Sequence, residues 1–343
     1  MNRINQSYNI CTGELGECMS EPIIYFVIPC FNEEQVLPVT SKLFLQKLLQ
    51  LIHNHEISNE SRLLFVNDGS HDDTWKIIQS LCHMSNHVLG ISQSCNRGHQ
   101  SSLLAGLMEV KEKCDAAISM DCDGQDDISV VSEMIQKYKD GADVVYGVRN
   151  DRKNDRLFKR LSAQMYYHLL RKMDDQMIYN HADFRLTSSR VLQVLSDYHE
   201  VNLYLRGLFP LIGFQSDICY YERKERIKGS THYPLSKMIE LALDGMFNVG
   251  VKPLRWISYL GGCMILFTVC IFAWIIIAKL TNHTVQGWAS MLGILSFFSG
   301  LQMISTGIIS EYLGRIYLEV KRRPRYVISE RCGLDYEKKN LSK

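Results

Sequence analysis

Residues 116–127 read AAISMDCDGQDD, a short apolar run that passes directly into four aspartates. The run Ala116–Met120 predicts a buried strand, and Gly124 permits a sharp turn just after it. Asp121 and Asp123 both follow this strand end, where such a turn would let their two carboxylates serve one ion. Hard divalent cations such as Mg²⁺ and Mn²⁺ prefer these oxygen ligands. The pattern favours a metal site at a strand end, although a solvated acidic turn also fits it.

Other apolar runs of strand length lie on both sides of this stretch. They are Ile23–Ile28, Arg62–Val66, Val88–Ile91 and Val144–Tyr146. Helical patterns separate several of them, including one that starts near Asn32, a candidate N-cap. Repeated strand and helix units build a mostly parallel sheet with helices on both faces. The sequence therefore predicts an α/β domain that binds its ligands at the carboxyl ends of the strands.

Two more polar clusters follow predicted strands, PCFNE at 29–33 and NDGSHDDT at 67–74. Either cluster alone also fits helix caps and turns, because Asn, Asp and Ser form local hydrogen bonds there. Together with the acidic stretch, however, they occupy the same position relative to their strands. We therefore expect all three clusters to form one binding edge.

The composition excludes some classes of protein. The 343 residues include 38 basic and 37 acidic side chains, a formal net charge of +1, so we expect no nucleic-acid partner. The eleven cysteines are scattered without a C-x-x-C pair, which indicates reduced thiols on the cytoplasmic side. The first twenty residues have no apolar core and are interpreted as a tail rather than a signal peptide.

The second half contains two charge-free apolar runs, Trp256–Ala278 and Gly287–Ser310. Each exceeds the roughly 20 residues that a helix needs to span a bilayer. Basic residues flank the pair on both outer sides, which predicts that both chain ends lie in the cytoplasm. Upstream, Leu235–Phe247 has apolar residues at helical spacing and fits either a helix in the membrane interface or one packed on the catalytic domain.

The predicted organisation has five parts. They are a tail (1–21), a cytoplasmic catalytic domain (22–233), an interfacial helix (234–252), a transmembrane hairpin (253–311) and a cytoplasmic C-terminal segment (312–343).

Eight motifs in this order resemble family 2 glycosyltransferases with the GT-A fold. They are PCFNEE (29–34), VNDGSHDDT (66–74), NRGHQ (96–100), DCDGQDD (121–127), GVR (147–149), DFRL (183–186), RIKGSTHY (226–233) and EYLGRIYLEVKRRPRY (311–326). Within that family the chain is similar to bactoprenol glucosyltransferases and dolichyl-phosphate mannose synthases. The resemblance implies a Rossmann-like domain that transfers one sugar, with inversion, from a nucleotide-sugar to a polyprenyl phosphate. UDP-glucose is the first choice of donor and GDP-mannose a further one, and a homo-oligomer such as a tetramer is expected.

The resemblance also implies roles for particular residues. The nucleoside would be held by Pro29, Phe31, Glu33 and Asp68, and the Mg²⁺ or Mn²⁺ ion by Asp121, Asp123 and Gln125. The acceptor phosphate would be held by Arg149 and Arg160, and Arg206 and Arg226 would close on donor or acceptor phosphates. Asp183 stands where the family places a proposed base, with Arg185 beside it, and His232 stands where lysine is usual. Because a phosphate monoester with a pKa of about 6 is already ionised at neutral pH, Asp183 could instead position the acceptor.

Two other functions compete with this one. A processive polysaccharide synthase would usually carry Q-x-x-R-W, but Lys252 occupies the glutamine position before Arg255 and Trp256. An inactive nucleotide-sugar-binding scaffold would not require the carboxylates Asp121, Asp123 and Asp183, all of which are present. Both observations favour the single-sugar transferase.

Overall fold

A computed structural model describes residues 21–149, 181–200, 205–222 and 287–333, with isolated helical positions between 257 and 277. The strands are β1 (Ile24–Cys30), β2 (Arg62–Asn67), β3 (Val88–Gln93), β4 (Ala116–Ser119), β5 (Val144–Arg149), β6 (His181–Ser188), β7 (Ser216–Tyr221) and β8 (Ile328–Cys332). The helices are α1 (Leu37–His53), α2 (Thr74–Met84), α3 (His99–Val110), α4 (Val131–Lys139), α5 (Ser189–Ser196), α6 (Leu205–Ile212) and α7 (Trp288–Lys321).

Within the described residues, eight strands form one sheet in the order β7-β5-β6-β4-β1-β2-β3-β8. The pairs β1–β2, β1–β4, β2–β3 and β5–β7 are parallel, which confirms the predicted α/β class with a mostly parallel sheet. Strand β6 inserts between β4 and β5 and is antiparallel to both, and β8 is antiparallel to β3. The sequence interpretation did not predict these antiparallel strands.

The sheet is covered on both faces, as predicted. All seven residues of β1 are buried, and alternate side chains enter two different hydrophobic clusters. On one face, Phe26 packs in a cluster with Phe44 of α1; on the other, Val27 packs in a cluster with Leu104 of α3. A strand that is apolar on both sides is typical of a central parallel strand.

The prediction that Asn32 caps α1 is wrong. The helix begins at Leu37, with Pro38 in its first turn. Asn32 instead adopts a left-handed backbone conformation with φ of 54°, and its Oδ1 accepts a hydrogen bond from the His71 backbone N–H at 3.0 Å. The Asn32 side chain therefore joins the loops that follow β1 and β2.

The two predicted membrane spans are not confirmed. In the part of the chain that the structure describes, no helix has the combined length and apolar character needed to cross a bilayer. Helix α7 includes the second predicted span but continues past Ser310 through the charged residues Glu311 and Arg315. Of the 23 positions of the first span, ten lie outside the described residues, as does the whole segment 235–247.

Candidate active site

The sheet topology brings the three polar clusters to one edge, as predicted. Strands β1, β2 and β4 are parallel neighbours, with Cys30 opposite Asn67 and Val27 opposite Ser119. The loops that follow these strands consequently leave the sheet side by side. Ligands of open α/β sheets bind at this kind of edge.

The loops after β1 and β2 are held together by hydrogen bonds. The Asn32 backbone N–H donates to Ser70 Oγ at 3.0 Å, and the Glu33 N–H donates to Thr74 Oγ1 at 2.9 Å. Of the residues predicted to hold the nucleoside, Pro29 is buried in β1, whereas Phe31 is 41% exposed at the edge. Phe31 is thus available to a ligand and Pro29 has a place in the core.

Asp68, the residue predicted to read the base, fixes the backbone at the start of α3. Its side chain is only 2% exposed, and its two oxygens accept hydrogen bonds from the Arg97 N–H at 2.9 Å and the Gly98 N–H at 3.0 Å. Burial raises the pKa of Asp68, while these two hydrogen bonds oppose the shift. Gly98 has φ of 88°, a conformation that glycine adopts readily. Asp68 therefore sets the direction in which α3 begins.

A close approach of two loops requires Gly69. A Cβ atom at this position would lie 2.5 Å from the Cys95 carbonyl carbon and 2.6 Å from the Asn96 nitrogen. Its φ of 63° is also a conformation that other residues rarely adopt. The turn after β2 can therefore rest directly against the loop that leads to α3.

The first residues of α3 contact the carboxylate of Asp183. His99 Nε2 lies 3.2 Å from Asp183 Oδ2 and 3.7 Å from Asp121 Oδ1, so the imidazole stands between the two carboxylates. Gln100 Nε2 donates to Asp183 Oδ2 at 3.3 Å. Burial lowers the pKa of His99. The hydrogen bond to Asp183 and the charge of Asp121 raise it by more, so the net shift is upward.

Two arginines also approach Asp183, which is 5% exposed. Arg206 donates from Nε to Oδ1 at 3.0 Å and from Nη2 to Oδ2 at 2.8 Å, a bidentate pair. Arg185 Nη2 donates to Oδ1 at 3.3 Å. Burial raises the pKa of Asp183, but the hydrogen bonds from His99 and Arg206 outweigh it and hold the pKa well below its usual value. A carboxylate in this state accepts a proton poorly, which favours the positioning role over the base role.

The acidic stretch turns at Gly124, which has φ of 71°, as the sequence predicted. The Asp121 N–H donates to Asp126 Oδ2 at 3.3 Å, and the Gln125 N–H donates to Asp123 Oδ1 at 3.1 Å. Burial raises the pKa of Asp121 to about 6, and repulsion from Asp126 adds to the shift. The loop thus concentrates negative charge that a cation would offset.

Among the residues that the structure describes, no three His, Cys, Asp or Glu side chains form a group arranged to hold a metal ion. The donor chemistry nonetheless fits a hard cation, because burial and the neighbouring carboxylates both disfavour the ionised form of Asp121, and a bound cation would favour it. Mg²⁺ is usually bound by one or two carboxylates together with substrate phosphates rather than by a complete protein cage. Asp121 and Asp123 are therefore the candidate carboxylate ligands, and Gln125 stays the predicted third ligand.

Arg149, at the end of β5, joins the acidic loop through Tyr221. Its Nε donates to Tyr221 Oη at 3.1 Å, and Tyr221 Oη donates to Asp126 Oδ1 at 2.7 Å. Arg149 Nη2 also lies 3.8 Å from Asp126 Oδ1. Two of the predicted phosphate ligands, Arg160 and Arg226, lie outside the described residues. So does His232, which stands where the family usually has lysine.

Sequence reasoning gave no role to His99, Gln100, Asp126 or Tyr221. A signal for the first two was present, because the motif NRGHQ places polar side chains directly after a strand and its loop. Asp126 belongs to the acidic motif 121–127, which gives no sign of a separate role for it. Nothing in the sequence signalled Tyr221, which comes 95 positions after the carboxylate that it contacts.

Known proteins resemble this chain along most of its length. The family model described as "Glycosyl transferase family 2" matches residues 25–196. A Bacillus subtilis protein named "Uncharacterized glycosyltransferase YkoT" is 45% identical over 309 residues, covering 90% of this chain and 92% of that protein. The chain belongs to glycosyl transferase family 2. It is accordingly a glycosyltransferase, and the resemblance found in its motifs is confirmed.

Two further similarities concern a named relative and a solved structure. The bactoprenol glucosyl transferase of Shigella phage SfII is 36% identical over 309 residues, covering 90% of this chain and 97% of that protein. Glucosyl-3-phosphoglycerate synthase from Mycobacterium tuberculosis, solved with Mn²⁺ and UDP-glucose, gives a TM-score of 0.44 at 15% identity over 66% of this chain and 78% of that one. The structural similarity is too low to inform the function.

Proposed function

We propose that this family 2 glycosyltransferase moves one sugar from a nucleotide-sugar to a polyprenyl phosphate, with glucose as the first choice of sugar. The observation that carries the proposal is the arrangement around His99, whose Nε2 lies 3.7 Å from Asp121 and 3.2 Å from Asp183. Asp121, a candidate metal ligand, is thereby close to the cluster that contains Arg185 and Arg206. A sugar transfer from a diphosphate donor to a phosphate acceptor would use both features. The phage relative that is named a bactoprenol glucosyl transferase supports the choice of sugar and lipid.

The donor diphosphate would lie at the acidic loop. Asp121 and Asp123 would hold Mg²⁺ or Mn²⁺, and the bound ion would neutralise the charge that grows on the leaving nucleotide. Phe31, exposed at the same edge, would lie against the nucleoside. Asp68 would contribute indirectly, because its two backbone hydrogen bonds fix the start of α3 and therefore the place of His99.

The acceptor phosphate would lie near Arg206. This side chain is 40% exposed while its guanidinium forms the bidentate pair with Asp183, so one face of the group can meet a ligand. Asp183 would orient Arg206 and His99 rather than remove a proton, since the acceptor phosphate is largely ionised at neutral pH. The lipid phosphate could then attack the anomeric carbon in a single displacement that inverts its configuration.

A lipid acceptor requires the enzyme to work at a membrane. Helix α7 exposes large apolar side chains, among them Leu295, Phe297 and Met303, and the region 253–311 would attach the chain to the bilayer. The proposal places the enzyme at the cell membrane with its catalytic domain in the cytoplasm. A homo-oligomer such as a tetramer belongs to the proposal through the family resemblance.

The test is a transfer assay with the full chain in vesicles that contain undecaprenyl phosphate. Each of UDP-glucose, UDP-galactose, UDP-N-acetylglucosamine and GDP-mannose, labelled in the sugar, is supplied with Mg²⁺ or Mn²⁺. We expect label to enter the lipid fraction, most rapidly from UDP-glucose, as a β-linked product of the α-linked donor. A longer polysaccharide would support the processive synthase instead, and the absence of product from every donor would support the inactive scaffold.

A further inference from the structure

Two cysteines that are distant in the sequence meet at the edge of the sheet. Cys82 Sγ, near the end of α2, lies 2.8 Å from Cys332 Sγ, the last residue of β8, although 250 positions separate them. Non-bonded carbon atoms pack best at about 3.5–4.0 Å, and sulfur is the larger atom. Spacing in the sequence did not indicate this pair, because the cysteines show no regular pattern.

The space for the second sulfur comes from a glycine. Cys332 pairs with Gly90 of β3 in the antiparallel ladder. A Cβ atom at position 90 would lie 2.6 Å from Cys332 Sγ and 2.5 Å from Ile78 Cγ2, so any larger residue would displace the sulfur. The missing side chain allows Cys332 to reach across β3 towards α2.

Separate contacts hold β8 in this register. Trp75 Nε1 of α2 donates to Glu330 Oε2 at 2.8 Å, and Arg331 Nη2 donates to Glu109 Oε2 of α3 at 3.0 Å. These interactions fix the residues immediately before Cys332 to both faces of the sheet. The meeting of the two sulfurs is therefore a consequence of how the strand is anchored.

We propose that Cys82 and Cys332 form a reversible disulfide, a covalent modification site that ties β8 to helix α2. Cys332 is partly exposed and Cys82 is buried, so Cys332 meets an oxidant first. With a peroxide, the Cys332 thiolate attacks one oxygen and the O–O bond breaks, so that Cys332 becomes a sulfenic acid and the released hydroxide takes up the proton that the thiol lost, giving one water. The Cys82 thiolate then attacks that sulfur and forms the S–S bond, and the displaced hydroxide takes up the Cys82 proton as a second water. A thiol reductant reverses the change.

The position of β8 gives this bond a structural consequence. The strand follows α7, and the Ser94 N–H, at the end of β3, donates to the Val327 carbonyl at 2.9 Å. Residues 94–98 lead from there to His99. The disulfide would therefore fix the junction between helix α7 and the loop 94–98, which leads into the active site. The inference does not depend on which sugar the enzyme transfers.

The experiment uses the full chain carrying Cys95→Ser, because Cys95 shares a tryptic peptide, 77–97, with Cys82. The protein is treated with hydrogen peroxide or with reductant, blocked with N-ethylmaleimide and digested with trypsin. We expect peptide 77–97 to be linked to peptide 332–338 after oxidation, at least tenfold more abundantly than any other cysteine pairing, and to be released by dithiothreitol. Cys332→Ser is the matched control and should give no such species.

A second measurement uses thermal unfolding and amide exchange of the unmodified sequence, so that the test does not depend on whether the variants fold. In the chain with all its native cysteines, oxidation should raise the midpoint of thermal unfolding and slow amide exchange in 328–332, and reductant should reverse both effects. Cys332→Ser should show neither response to oxidation. If peroxide modifies Cys332 without producing the linked peptides or the shift in midpoint, the proposal is overturned.

Discussion

Replacing Asp183 by asparagine separates the two roles considered for this residue. The substitution keeps the shape of the side chain but removes a charge that faces Arg206, Arg185 and His99 within 3.3 Å. Breaking a buried ion pair by removing one partner costs about 3–5 kcal/mol. We take the lower end, about 3 kcal/mol, because the Arg206 side chain is 40% exposed and can be rehydrated. In a domain of this size, about 1 kcal/mol shifts the unfolding midpoint by roughly 2–4 °C.

We therefore expect Asp183→Asn to lower the midpoint of thermal unfolding by about 6–12 °C and to reduce sugar transfer as well. The assay is a melting curve of the full chain in detergent, recorded beside the transfer rate. Asp123→Asn is the control, because this carboxylate is more exposed and lies in the acidic loop; it should reduce transfer and leave the midpoint almost unchanged. If Asp183→Asn abolishes transfer at an unchanged midpoint, Asp183 acts on the substrate as a base and the positioning argument is wrong.

Three further predictions use other features of the same edge. The pKa of Asp183 is lower in the folded protein than in the unfolded chain. The ionised carboxylate therefore stabilises the fold above the unfolded pKa of about 3.9, and this stabilisation is lost as the pH falls from that value through the folded pKa. The melting midpoints of the wild type and of Asp183→Asn should consequently converge in acid. Gly69→Ala should destabilise the protein by at least about 2 kcal/mol, and Gly141→Ala by only about 1 kcal/mol. Both glycines have a positive φ, but only a Cβ atom at position 69 would also clash with neighbouring backbone. Urea unfolding of the two variants would compare their free energies of unfolding. His99→Ala should lower kcat about tenfold with little change in midpoint, and His99→Gln should recover part of the loss; equal rates in all three proteins would remove His99 from the site.

The fold class was predictable from the sequence because the central strands are continuous apolar runs. Strands β1, β2 and β3 are buried on both faces, and such runs are typical of parallel strands between helices. Strands β6, β7 and β8 were missed because none of them is a continuous apolar run. Strand β6 is buried from residue 183 onwards but carries the polar residues Asp183, Arg185 and Thr187. Strand β7 is partly exposed, and β8 pairs with a strand more than 200 positions earlier, so local pattern does not reveal either of them.

The site was predictable where a motif and a strand end coincide. The turn at Gly124 and the position of Asp121 followed from residues next to one another in the chain. The contacts of Asp68 could not be predicted in the same way, because its partners Arg97 and Gly98 come about 30 positions later and are backbone groups. The cysteine pair is the extreme case, since no spacing rule joins Cys82 to Cys332.

The most direct test of the central claim is the metal-dependent appearance of labelled sugar in a lipid. Full-length protein in vesicles with undecaprenyl phosphate is given Mn²⁺ and UDP-glucose labelled in the sugar, and the organic phase is counted over time. We expect steady incorporation by the wild type, loss of it with EDTA, and a fall of at least about 100-fold in Asp121→Asn at an unchanged melting midpoint. Equal incorporation by the variant, or by the wild type in EDTA, would contradict the account.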